Sequence, residues 1–180
     1  MKFTLSSVLT ALLSASALAA PTTHVPRTGS QLAPTVVSHY NTWTGAIDYD
    51  KPTGLVKKGG GPEYTSLFTF NFDGVPDGRT CNFVFDVSGD QSATVDGSQM
   101  TLFTSRNPAP GPTSGWPPGN QRYVEMGRMG VSKTGENSWI YGSGSFPCPT
   151  SGQYGYELVG AGDRLNIAWT DANGGLRIRY

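Results

Sequence analysis

Apolar and polar side chains alternate with a period of two residues along much of the chain. Phe68, Phe70 and Phe72 fall on one side of such a run, and the residues between them fall on the other. The same alternation recurs in three further runs, at residues 81–87, 165–169 and 176–180. This period is typical of strands that bury one face, and the Asp-Gly and Gly-Gly pairs between the runs are turn signals. The pattern predicts an all-β fold, an antiparallel β-sandwich.

Length and charge narrow the class of protein further. The chain has 180 residues, which is the size of one domain. Lys and Arg together number 13, as do Asp and Glu, so the formal net charge is zero. Generic binding to polyanions depends on clustered positive charge, so we expect no nucleic-acid partner. The 14% of charged residues is also too low for a charge-extended disordered chain.

The N-terminal segment has the features of a secretory signal peptide. Lys2 supplies the positive charge, residues 8–18 are apolar or small, and Ala17-Leu18-Ala19 fits the cleavage pattern. The apolar run is too short to span a membrane, which takes about 20 residues. We therefore expect a signal peptide at 1–19, a disordered leader rich in Pro and Thr at 20–35, and a β-sandwich domain at 36–180. These features predict a secreted protein, extracellular or associated with the cell wall, with no membrane partner.

Two cysteines, Cys81 and Cys148, are the whole cysteine content. In an oxidising compartment they allow one pairing within the chain. No Cys-x-x-Cys motif is present, and both lie beside strand-like sequence, so a structural disulfide is expected rather than a redox or nucleophilic thiol. The separation of 67 residues corresponds to about 4 kcal/mol in the chain-entropy description.

A long segment rich in Pro and Gly, residues 105–122, interrupts the strand pattern and contains Trp116. Connections of this length are uncommon in compact domains and are often functional. Aromatic rings pack on sugar rings, so Trp116 and the nearby Tyr123 are candidate ligand-binding residues, with Arg122 as a polar neighbour. Trp43 and Trp139 also lie near predicted turns. The alternative is an extended strap whose tryptophan covers the sandwich edge.

Few residues are suited to catalysis or metal binding. His39 is the one histidine within the predicted domain, and no Gly-x-Ser-x-Gly motif accompanies it. A glycosidase needs two facing carboxylates, for which Glu125 and Glu157 are the candidates. The alternative is that both are strand residues paired with Arg122, Arg128 or Arg164. Too few His and Cys remain for zinc, and no EF-hand loop is present, so we expect no metal and no cofactor.

Several motifs resemble one family of fungal secreted proteins. They are His39-Tyr40-Asn41, Gly78-Arg79-Thr80-Cys81, residues 116–122 (Trp-Pro-Pro-Gly-Asn-Gln-Arg), and Phe146-Pro147-Cys148-Pro149. Together they resemble the ubiquitin 3 binding protein C-terminal domain family, the But-two family, over about residues 36–180. The resemblance implies a secreted β-sandwich with one bridge linking the two cysteine motifs, and it implies no catalytic mechanism.

These observations lead to two functional hypotheses. The first is a secreted, non-catalytic β-sandwich, expected to be monomeric, that binds cell-wall polysaccharide or an extracellular protein. The second is a small secreted carbohydrate-active enzyme that uses Glu125 and Glu157.

Overall fold

The structure is a computed structural model, and it describes residues 30–110 and 121–180. Every regular element in these residues is a β-strand. The strands are β1 (Gln31–Leu32), β2 (Val36–Asn41), β3 (Ile47–Asp48), β4 (Thr53–Lys58), β5 (Tyr64–Asn71), β6 (Thr80–Asp86), β7 (Thr94–Asp96), β8 (Gln99–Ser105), β9 (Arg122–Ser132), β10 (Gly135–Gly142), β11 (Ser145–Pro147), β12 (Gln153–Gly160), β13 (Leu165–Thr170) and β14 (Gly175–Arg179). No helix long and apolar enough to cross a bilayer occurs in this part of the chain.

The strands form two curled antiparallel sheets, which confirms the predicted all-β sandwich. The small sheet has the order β1-β14-β6-β11. The large sheet has the order β10-β9-β8-β12-β5-β4-β13-β7, with β2 paired to β5 and β3 to β2. Strand β12 therefore lies between β5 and β8 in the middle of the large sheet, a position that matters for the site described below.

The core between the sheets is built from the alternating aromatic residues. Phe68 and Phe70 of β5 are fully buried, and Phe83 of β6 is only 2% exposed. The Phe83 ring packs edge-on against Tyr156, with centroids 4.7 Å apart, and joins the two sheets. Burial raises the pKa of Tyr156. The two-residue period thus identified the buried faces because each strand contributes one side to this core.

The outer face of the large sheet is also covered in its centre. Tyr40 and Leu67 form a second apolar cluster there with Ala109. The Thr69 hydroxyl donates a hydrogen bond of 2.6 Å to the Ala109 carbonyl oxygen, which fixes the segment after β8 over this face. Residues on both faces of β12 are therefore removed from water, including Glu157.

The predicted disulfide is present. Cys81 of β6 is bonded to Cys148, and their Cα atoms are 5.0 Å apart. Phe146 of β11 pairs with Cys81 in the ladder, so the bridge joins two neighbouring strands of the small sheet. The chain between the cysteines contains β7 to β10 of the large sheet, so the bridge also closes a loop that crosses between the sheets.

Several elements differ from the sequence-based expectation. Residues 31 and 32 pair with Arg179 and Ile178 of β14, so the end of the predicted leader is a strand of the small sheet. Strand β4 was not predicted. Its sequence is Thr-Gly-Leu-Val-Lys-Lys, and Gly54 occupies the core position where an apolar side chain would have shown the alternation. Trp169 fills that space, since a Cβ on Gly54 would lie 1.9 Å from its indole ring.

Candidate functional site

A cavity of about 240 Å³ opens at one end of β5 and β12; we call it the first cavity. Its lining includes Thr42, Lys57, Lys58, Glu63, Tyr64 and Arg122. Thr42 comes from the segment after β2, and the two lysines come from the end of β4. Tyr64 is the first residue of β5, and Arg122 is the first residue of β9. Four separate segments thus bring an aromatic ring, three cations and a carboxylate to one opening.

A buried ion pair lies under the first cavity. The Arg122 guanidinium donates to both carboxylate oxygens of Glu157, with Nε to Oε2 at 3.0 Å and Nη2 to Oε1 at 2.8 Å. The Thr65 hydroxyl donates to Oε1 at 2.6 Å. The Glu157 side chain has no exposed surface, whereas that of Arg122 is 31% exposed. Bidentate pairs fix orientation as well as charge, so Glu157 positions the guanidinium at the cavity wall.

An exposed tryptophan follows one of the cavity-lining residues in sequence. Trp43 is 64% exposed and follows Thr42 in the turn between β2 and β3. The Asn41 side-chain oxygen accepts hydrogen bonds from the backbone N–H groups of Trp43 and Thr44, at 3.0 and 3.2 Å. The Thr42 N–H donates to the Glu63 carbonyl oxygen at 3.0 Å, which ties the turn to the start of β5. An exposed indole on a fixed turn is suited to apolar stacking against a ligand.

A second cavity, of about 230 Å³, adjoins the first, since Lys57 and Lys58 line both. Its lining also includes Gly60, Asp96, Arg164 and Asn166. Three cations therefore surround this cavity with one acid, a surplus of two positive charges.

The aromatic residues that the sequence suggested as ligand contacts differ in exposure and in position. Tyr123 is 59% exposed, and the Arg106 guanidinium lies over its ring at 4.4 Å from the centroid. Trp116 lies outside the described residues. Trp139 is half-buried against the core, unlike Trp43. Of the residues predicted around the Pro-rich segment, the structure brings Arg122 to the first cavity.

The two candidate catalytic carboxylates have unlike environments. Glu125 is exposed and accepts a hydrogen bond from the Tyr141 hydroxyl, which raises the pKa of Tyr141. Both glutamates pair with Phe103, from opposite sides of β8. Two strand spacings, about 10 Å, therefore separate their backbones. A retaining glycosidase needs carboxyl groups about 5–5.5 Å apart, and a reacting carboxyl group must be reached by substrate. Glu157 has no exposed surface.

His39 is bound to backbone. Its Nε2 lies 2.8 Å from the Thr53 carbonyl oxygen, to which it donates. Burial is the main cause that lowers the pKa of His39, against the opposing effect of that hydrogen bond. In a Ser-His-Asp site Nε2 accepts the serine proton, whereas the Nε2 of His39 donates to a backbone carbonyl oxygen.

Another cavity, of about 350 Å³, lies on the outer face of the small sheet around Arg177 and Arg179. Both arginines already have partners: Arg177 pairs with Asp171 at 3.0 Å and Arg179 with Glu136 at 2.5 Å. No residue among the exposed large apolar side chains lines it. Within the described ranges, no group of three or more His, Cys, Asp or Glu is placed to hold a metal ion.

Sequence reasoning named Arg122 and Arg164 but missed Lys57 and Lys58, which line both cavities. Lys57-Lys58 followed by three glycines and a proline has the pattern of an exposed charged turn. The missing information was that Arg122 and Arg164, distant in sequence, lie beside it.

No protein-family model matches the chain, and no curated protein matches it either. The resemblance to the But-two family therefore stays a prediction.

Proposed function

We propose that the protein is a secreted, non-catalytic β-sandwich that binds a glycan of the cell wall at the first cavity. The observation that carries this proposal is the exposed Trp43 beside an opening lined by Tyr64, Arg122 and Glu63. Protein sites for sugars combine an apolar platform with polar groups that fix orientation. The cavity is below the common pocket range of about 300–1,000 Å³, which suits one sugar ring rather than a whole oligosaccharide.

Two observations favour binding over catalysis. Glu157 is buried, and its two carboxylate oxygens accept hydrogen bonds from Arg122 and Thr65, so its part is to position the arginine. Glu125 lies two strands away and bonds Tyr141. Secretion is part of the proposal and rests on the N-terminal sequence and on the disulfide, since disulfides persist in oxidising compartments.

The test is a pull-down of the purified protein on insoluble chitin, β-glucan and cellulose, with release of soluble sugar assayed in the same tubes. We expect retention on at least one polysaccharide without sugar release. Trp43→Ala should weaken retention about tenfold, which corresponds to roughly 1.4 kcal/mol. Trp43→Phe keeps an aromatic ring and should lose less.

Three further variants complete the design. Ile140→Ala removes an apolar side chain that is 50% exposed on β10 and should have no effect. Trp116→Ala and Tyr123→Ala test the two contact residues predicted from sequence. Sugar release that is lost in Glu125→Gln would favour the enzyme hypothesis instead, and no retention on any polysaccharide would overturn the proposal.

A further inference from the structure

Three cations without ion-pair partners surround the second cavity. Lys57 and Lys58 are half-buried, and Arg164 is exposed. Among the described residues, none of the three lies within ion-pair distance of a carboxylate; the ion pairs present are Lys51–Asp48, Arg122–Glu157, Arg177–Asp171 and Arg179–Glu136. Among the described residues, ion pairs are also missing at Arg79, Arg106, Arg128 and Lys133. What distinguishes the cluster is that three such cations line one cavity.

Like charges gathered around a cavity repel one another, and partial burial weakens the screening by water. A group of opposite charge placed in the cavity would offset this repulsion. Asp96, which also lines the cavity, leaves a surplus of two positive charges. The first cavity holds a second acid, Glu63, whose carboxylate accepts a hydrogen bond from the Gly59 N–H at 3.2 Å and keeps its negative charge. Counted together, Asp96 and Glu63 leave a surplus of one positive charge against Lys57, Lys58 and Arg164.

The backbone beside these cations is open to a ligand. Gly60 lines the second cavity and has φ of +72°, and a Cβ built there would meet no atom within 4 Å. Glycine at such a position permits close approach of a ligand to the main chain. The neighbouring Gly59 is fixed instead, since its Cβ would lie 2.4 Å from the Asp163 carbonyl oxygen. The turn therefore lies close against the loop that carries Arg164.

We propose that the ligand of this protein is an acidic glycan, whose anionic group occupies the second cavity between Lys57, Lys58 and Arg164. This inference rests on the proposed function and adds the class of glycan. Because Lys57 and Lys58 line both cavities, a sugar ring in the first cavity brings a neighbouring anionic substituent to the second. Asn166 lines the same cavity, and the side-chain amide of an asparagine is a hydrogen-bond donor suited to an oxyanion.

Carboxylate and sulfate groups share the required chemistry, and matched pairs of ligands distinguish them. Binding of oligogalacturonate is compared by calorimetry with binding of the same oligomers after methyl esterification. A sulfated oligosaccharide is compared with its desulfated form in the same way. We expect the charged member of at least one pair to bind about tenfold tighter than its neutral form at low salt. The preference should shrink as ionic strength rises.

Single-charge variants locate the effect. Lys57→Gln, Lys58→Gln and Arg164→Gln should each reduce the preference for the charged form by about three- to tenfold. Lys133→Gln, which removes an exposed lysine from the turn between β9 and β10, should leave it unchanged. An equal reduction by Lys133→Gln would overturn the assignment to the second cavity.

The outcomes separate this inference from the proposed function. Equal binding of charged and neutral forms, with both weakened by Trp43→Ala, would overturn the acidic ligand and leave glycan binding standing. No binding of any charged or neutral oligomer, or of the insoluble polysaccharides, would overturn both.

Discussion

Two glutamates on one sheet show how environment sets the part a residue plays. Glu125 and Glu157 are alike in type and share Phe103 as a ladder partner. Glu125 lies on the exposed part of β9, whereas Glu157 is buried on β12 in the middle of the large sheet. The sequence pattern predicted both as strand residues and named Arg122 among the candidate partners. Burial of Glu157 was not predictable, because its ladder partner Leu67 and its hydrogen-bond donors Thr65 and Arg122 come from distant parts of the chain.

We expect Glu157→Gln to lower the free energy of unfolding by about 3 kcal/mol. Removing one partner of a buried pair costs about 3–5 kcal/mol, and the lower end applies because Arg122 is partly exposed. Urea denaturation measures the change. The double variant Arg122→Met with Glu157→Leu should recover part of the loss, since no charge is then left unpaired. A loss below 1 kcal/mol for Glu157→Gln would contradict the described pair.

His39 gives a pH dependence of stability with a defined sign. Burial lowers its pKa below the ordinary value of 6.5 in the folded protein. Below pH 6.5 the unfolded chain therefore binds more protons than the folded one, and the free energy of unfolding falls as pH decreases. The fall ends where the folded histidine also becomes protonated. His39→Gln should flatten the stability curve between pH 7 and pH 5, as measured by denaturant titration.

A second titrating group does not confuse this measurement. Hydrogen bonds from the Ser92 hydroxyl and the Thr170 N–H lower the pKa of Asp90. Its contribution to stability is present above its ordinary value of 3.8 and is lost only as pH falls below it. An unchanged slope between pH 7 and pH 5 in His39→Gln would mean that His39 is not buried as described.

At the scale of elements, glycines determine how β4 and β14 approach the core. The Trp169 indole lies where a Cβ of Gly54 or of Gly175 would stand, at 1.9 and 2.1 Å. The Phe85 ring packs edge-on against the same indole at 4.9 Å. The large ring in β13 thus requires glycine on β4, its neighbour in the large sheet, and on β14 in the small sheet.

We expect Gly54→Ala to lower the free energy of unfolding by about 3 kcal/mol, since inserting a methyl group into a packed core costs roughly 1–3 kcal/mol and here it meets ring atoms directly. Gly135→Ala is the matched control, because a Cβ there meets no atom within 4 Å and its φ is not in the left-handed region. Thermal unfolding of both variants checks the pair. Equal melting temperatures would contradict the described packing.

Glycine at a core position also explains why β4 was not predicted from the sequence. Strands with Phe, Leu or Ile at every core position, such as β5 and β13, showed the two-residue period. β4 did not, because Gly54 stands at a core position. A local sequence pattern shows which side chain stands at a position. It does not show that a side chain from another strand, here Trp169, occupies the space beside a glycine.

At the scale of the whole molecule, the disulfide limits the unfolded chain. We expect the double variant Cys81→Ala with Cys148→Ala to lose about 4 kcal/mol, from the loop that the bridge closes. Reduction of the native protein should produce a similar loss, which separates the bridge from the effect of the substitutions. A loss below 1 kcal/mol would show that pairing of β6 with β11 already supplies the constraint.

The distribution of charge over the folded molecule differs from what the net charge of the sequence suggests. The formal net charge is zero, which argues against generic binding of polyanions. The fold nevertheless gathers Lys57, Lys58 and Arg164 around one cavity. The sequence therefore predicted the residue types of the candidate site, an aromatic residue and an arginine. It did not predict the position of the site, because β4, β5 and β9 meet there only in the folded protein.

Binding of a glycan at the first cavity can be tested by mapping backbone and indole N–H chemical shifts. Oligomers of chitin, β-glucan, cellulose and galacturonate are titrated into the labelled protein. We expect the largest changes at Thr42, Tyr64 and the Trp43 indole, with little change around Arg177. Changes confined to the cavity around Arg177 and Arg179, or no changes with any of the four oligomers, would mean that no glycan binds at the first cavity.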